Sequence, residues 1–202
     1  MTLQDFLLVL VGALIGFISS IGIIIVEKWL DRFGKFNIFY KLYKTEHVTE
    51  SLGYIEDDDE ITFVVPVMFE LQNTTNTTRV IRDLSAMLYN NECLVGKMIQ
   101  VAKFRAFETT NGEKIITKER DFGSAKNSYS FVIPSQNIQR EYCNFAYTID
   151  ISEIANYYFN EVKLQYFDEK NKMHLFTLRK IENSWGAEKL LIDEDWQLAK
   201  LR

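Results

Sequence analysis

The chain has 202 residues, of which 47% are apolar and 14% aromatic, with only two prolines and a net charge of −5. So much apolar surface can offset the entropy of folding, which excludes a disordered chain or a low-complexity stalk. The charge is uneven, five Lys/Arg against three Asp/Glu in residues 1–44 and eighteen against twenty-five in the rest, and an acidic domain of that kind excludes nucleic-acid binding, which needs clustered cations.

After a tail at residues 1–5, the stretch from Phe6 to Val26, FLLVLVGALIGFISSIGIIIV, carries no charge. As a helix its twenty-one residues reach about 31 Å, the thickness of a bilayer hydrocarbon core, which predicts a transmembrane helix. A cleaved signal peptide would want a positive n-region, a shorter apolar core and small residues at its end. Here Asp5 precedes the run and Glu27-Lys28-Trp29 follows it. Within the span Gly12, Gly16 and Ser20 recur every fourth residue and share a helix face, so self-association through small residues is expected there. Residues 27–35 read as a basic neck. Lys28, Arg32 and Lys35, with Lys41 and Lys44 beyond, follow the helix and no Lys or Arg precedes it. By the positive-inside rule the N-terminus is outside and the domain cytoplasmic, at a plasma or inner membrane. Trp29 and Phe33 complete an interfacial belt with Lys28, Arg32 and Lys35, so the lipid bilayer is the first expected partner.

From Phe36 onward apolar residues alternate, and FNIFYKLYK reads as a strand. The acidic run Glu56 to Glu60 lacks the Gly and the bidentate Glu of an EF-hand loop and reads as a solvated hairpin tip. Ile61 to Leu71 is a strand in which Pro66 lacks a ladder donor and predicts an edge or a bulge. The polar turn that follows holds N-x-[ST] sequons at Asn73 and Asn76, which in a cytoplasmic domain serve only as turn formers. Arg79 to Tyr89 and Cys93 to Val101 form a hairpin around Asn90-Asn91, and a second hairpin is expected around residues 111 and 112. Strands follow at Ser128 to Ile133 and Gln139 to Ile149, then a helical turn capped by Ser152 with Ala155, Tyr158 and Phe159 on its apolar side. A last hairpin pairs Glu161 to Phe167 with Met173 to Ile181.

Many strands, few helices and hairpin links predict a mainly β fold. One N-terminal transmembrane helix is followed by an antiparallel β-sandwich over residues 36–181, with an immunoglobulin-like arrangement. The likeness is to an architecture only, because Glu141 stands where a tyrosine corner would place Tyr ahead of Cys143. Residues 182–202, with Trp185, Leu191, Trp196, Leu198 and Leu201 among charges, are expected to form an amphipathic segment packing on the domain.

Chemistry is sparse in this sequence. Cys93 and Cys143 in a cytoplasmic domain are expected to be reduced and buried. His47 and His174 lack metal-ligand spacing, and a Cys143–His174 nucleophilic pair would be coincidental. No metal, cofactor or catalytic residue is therefore expected. The reading is a non-enzymatic single-pass protein that presents its sandwich to an unidentified protein partner. The alternative is a subunit of a sensor or effector complex, assembled, as a homo-oligomer or otherwise, through its helix.

Overall fold

The computed structural model describes residues 3–30, 34–43, 53–57, 59–110, 113–122, 129–182, 184–185 and 195–200. One helix, α1 (Leu3–Leu30), precedes a domain built from two antiparallel sheets and a separate hairpin. The helix is long and apolar enough to cross a membrane between Leu10 and Trp29, and none of that span is buried. Its 28 residues reach about 42 Å, beyond the 6–26 expected from the uncharged run alone. Glu27, Lys28, Trp29 and Leu30 all tolerate helix and no Gly or Pro interrupts them, so the first part of the expected neck is helical.

The first sheet is built on β3 (Glu60–Asn73). Along one side of it run β1 (Phe36–Leu42) and then β2 (Gly53–Asp57), and along the other runs β10 (Asn137–Asp150). Two short strands close it, β6 (Ile99–Gln100) beside β10 and β13 (Gln197–Leu198) beside β1. The second sheet has the order β12 (Met173–Lys180), β11 (Glu161–Phe167), β4 (Arg79–Asn90), β5 (Cys93–Lys97), with β9 (Phe131–Ile133) also on β4. β7 (Lys103–Thr110) and β8 (Glu113–Asp121) pair as a hairpin, with Thr110 opposite Glu113, and the expected turn at 111 and 112 lies outside the described residues.

The period-2 pattern determines which side chains meet. Ile38, Tyr40 and Leu42 of β1, Ile61 to Leu71 at alternate positions of β3, and Cys143 and Phe145 of β10 share one core with Leu84, Ala86 and Leu88 of β4 and Val162, Leu164 and Tyr166 of β11. A 3-10 turn, Ile151–Asn156, joins β10 to β11, and its cap is Asp150, whose carboxylate accepts from the Ser152 amide. Ser152 was the expected cap; Asp150 takes the role because its backbone is still extended (φ −67, ψ 136). Of the expected apolar side, Phe159 is buried and Tyr158 and Ala155 are exposed.

Pro66 is not at an outer edge. β3 is central, and Pro66 falls where its neighbour changes: β1 ends with Leu42 opposite Val67, and β2 begins with Gly53 opposite Val64. The Tyr43 N–H still reaches the Pro66 carbonyl at 3.4 Å, so the missing donor lies in a gap between strands. The first hairpin turn also lies one residue later than expected. Asn91 and Glu92 both have positive φ (45° and 74°), with Asn90 opposite Cys93, as a two-residue primed turn requires.

Candidate functional site

The junction between helix and domain is the most constrained feature outside the core. Only residues 31–33 separate Leu30 from Gly34, and the four Cα–Cα steps between them span at most about 14 Å. Gly34 adopts φ +112°, and a Cβ there would stand 2.2 Å from the Thr74 carbonyl oxygen, so only glycine lets the neck lie against the β3–β4 turn. Lys35 completes the clamp. Its N–H donates to Thr74 Oγ1 at 2.7 Å, and its carbonyl accepts from the Thr74 N–H and hydroxyl, each at 3.0 Å.

That turn is itself held by Asn73, which is buried. Its Nδ2 donates to the carbonyls of Thr77 (2.8 Å), Pro134 (2.8 Å) and Ile133 (3.2 Å), while Oδ1 accepts from the N–H and hydroxyl of Thr75. One side chain therefore ties the β3–β4 turn to the end of β9, and the neck hangs from that turn. As a sequon Asn73 has its nitrogen enclosed and engaged, whereas Asn76 is exposed.

The β11–β12 hairpin shares this end. Asp168 Oδ1 accepts from the amides of Lys170 and Lys172, both at 2.9 Å, and Oδ2 meets His174 Nε2 at 2.9 Å. Burial pushes the Asp168 carboxyl up, but the His174 and backbone hydrogen bonds outweigh it and hold the group below the usual carboxylate range. The His174 ring stacks on Tyr166 at 4.9 Å, and Arg79 pairs with Glu169 at 2.6 Å. A cleft of about 220 Å³ lies among Phe36, Arg79, Tyr166, Asp168 and His174. An acid–base pair is present here, but Tyr166, whose hydroxyl burial pushes upward, is no ready proton donor or nucleophile.

A larger groove, about 540 Å³, opens between β12, the outer strand of its sheet among the described residues, and the short β13, lined by Tyr40, Leu175, Phe176, Leu198 and Lys200. The Tyr40 hydroxyl bridges its floor, donating toward the Thr177 and Leu178 carbonyls and Gln197 Oε1. Two C-terminal tryptophans pack onto the domain. Trp185 is buried against Phe159 and Phe63 with its indole N–H donating to the Tyr157 carbonyl, and Trp196 lies under the cations of Lys41 (5.2 Å) and Arg140 (5.8 Å). Where a helical period was expected, residues 197–198 form a strand on β1 because that edge still offers backbone partners.

The expected site residues divide accordingly. Gly12 and Gly16 have open space around them, and the Ser20 hydroxyl donates to the Gly16 carbonyl at 2.8 Å, so it is satisfied within its own helix. Lys28 and Trp29 are exposed at the end of α1, Lys35 is exposed in the clamp, and Arg32 and Phe33 lie outside the described residues, as does His47. Cys143 is buried as expected and burial pushes its thiol up, but Cys93 is exposed beside the β4–β5 turn, which corrects the expectation that both are buried. Of the acidic run, Asp57 stands opposite Glu60 across a hairpin turn, and Asp58 lies outside the described residues. Among the described residues no cluster of three or more potential ligands could hold a metal ion.

Two residues that matter structurally carried no sequence signal. Tyr129 is fully buried and its hydroxyl bridges the backbones of Val101 and Asn144, and Asn144 is buried with neither amide atom hydrogen-bonded. No periodicity singles out either one, since both depend on pairings between strands distant in sequence. Comparison with known proteins finds no counterpart: no family model, curated protein or solved structure matches this chain.

Proposed function

We propose that this is a single-pass membrane protein with its N-terminus outside, whose two-sheet domain is an immunoglobulin-like sandwich presented at the cytoplasmic surface as a protein-interaction module. The observation that carries the reading is the helix. A 20-residue apolar span with no buried part has no place in water, and three residues join it to a clamp on the domain. β12, an outer strand among the described residues, supports the recognition role. Its backbone donors and acceptors lie beside a groove that an added strand could enter, with Leu175 and Leu198 as apolar contacts.

A second reading is favoured by one specific observation. The Gly12–Gly16 face of the helix is unobstructed, as close approach of another membrane helix requires, so assembly into a sensor or effector complex would run through α1. Affinity capture of the full chain from detergent, compared with a chain whose helix is replaced by an unrelated polyleucine span, separates the two. Partners retained after the swap support the module, and partners lost with the native helix support the assembled subunit.

A further inference from the structure

Among the described residues of the two sheets, the exposed charges differ between the end where the anchor joins and the opposite end. At the end where the anchor joins, Lys35, Arg82, Lys170 and Lys172 are exposed, and none has a carboxylate within ion-pair distance among the described residues. Among the described residues, the acids of the hairpin at this end are engaged, Asp168 with the Lys170 and Lys172 amides and His174, Glu169 with Arg79, and Asp31 of the neck lies outside the described residues. Arg82 reaches, among the described residues, only the neutral Asn171 side chain. Among the described residues at the opposite end Asp59, Glu60, Glu92, Asp150, Glu153 and Glu182 are exposed, against the exposed Lys180 and the half-buried Arg179.

We propose that the basic end is a contact surface for the headgroup phosphates of anionic phospholipid, and that the domain stands on the bilayer by this end. The inference rests on the reading of α1 as a membrane span. Connectivity then puts this end at the interface, because residues 31–33 give little slack and Gly34 and Lys35 are fastened to Thr74. Distance decides whether the charges matter. The Debye length at physiological ionic strength is about 8 Å, so cations help only when they sit at the headgroups, as these do. The 14-residue β3 separates the two ends by about 45 Å, so the acidic end lies several Debye lengths away and does not oppose docking. Met173 and Ile138, exposed beside the lysine hairpin and at the start of β10, add apolar tips to the same end.

The test uses the full chain with Cys93→Ser, reconstituted in nanodiscs. A fluorophore is placed at Thr78→Cys on the basic end, or at Glu153→Cys on the acidic end. Phosphatidylserine-containing discs are expected to shield the Thr78 probe from an aqueous quencher several-fold more than phosphatidylcholine discs, and the Glu153 probe not at all. High salt should remove the difference. The triple variant Lys35→Glu, Lys170→Glu, Lys172→Glu should remove it too, at about fivefold in docked population per cation lost. These side chains are exposed, and an unchanged melting temperature in the triple variant shows that the fold is intact. Equal quenching of the Thr78 probe in the two lipids, or full shielding in the triple variant, overturns the inference while leaving the membrane span in place. Loss of the chain from membranes on carbonate washing overturns both.

Discussion

Asn73 shows what one buried amide can organise. Removing it leaves the Ile133, Thr77 and Pro134 carbonyls and the Thr75 donors without their partner, so Asn73→Ala is expected to lower stability by about 2–4 kcal/mol, read as a reduced denaturant midpoint of the full chain in detergent. Asp168 acts through charge instead. Its folded pKa is depressed, so its stabilisation is present above the unfolded carboxylate pKa of about 4 and is lost as pH falls through the folded value. Asp168→Asn should therefore melt below the parent at neutral pH and converge with it in acid; a constant gap across the titration would show that the carboxylate charge contributes nothing. Neither residue could be ranked from sequence. Asn73 read as one polar residue in a turn of seven, because two of the three carbonyls it collects, those of Ile133 and Pro134, come from about sixty positions away.

At the scale of elements, the strands were legible wherever one face is buried. β3, β4, β10, β11 and β12 follow from alternation, because a one-residue slip would turn every core side chain toward water. The boundaries that moved are local ones: the cap at Asp150, the turn at Asn91-Glu92 and the end of α1, each decided by backbone geometry that residue type constrains only loosely. The neck was legible as basic but not as clamped, since nothing in Gly34-Lys35 announces the turn it meets thirty-nine residues later. Gly34→Ala is expected to loosen it, with faster amide hydrogen exchange at Lys35 and Thr74 and the core strands unaffected. The C-terminal segment is tied through Trp185. Trp185→Ala should destabilise the fold by about 3–5 kcal/mol, and Trp185→Phe by less, as it keeps the ring contacts with Phe159 and Phe63 and loses only the indole donor.

For the whole molecule, the exposed Cys93 and the buried Cys143 form a topology reporter. In sealed right-side-out vesicles a membrane-impermeant maleimide should leave Cys93 unmodified until the bilayer is opened, and should reach Cys143 only after denaturation. Labelling of Cys93 in intact vesicles would place the domain outside and make the exposed Asn76 sequon an acceptor to be examined. In the proposed orientation the β3 strand also acts as a ruler. Fourteen extended residues standing on a short neck carry the β2–β3 tip up to about 45 Å from the headgroups. A partner confined to the same membrane would then engage that tip only if its own receptor site stands at matching height, so elevation, alongside surface chemistry, selects what this domain can touch.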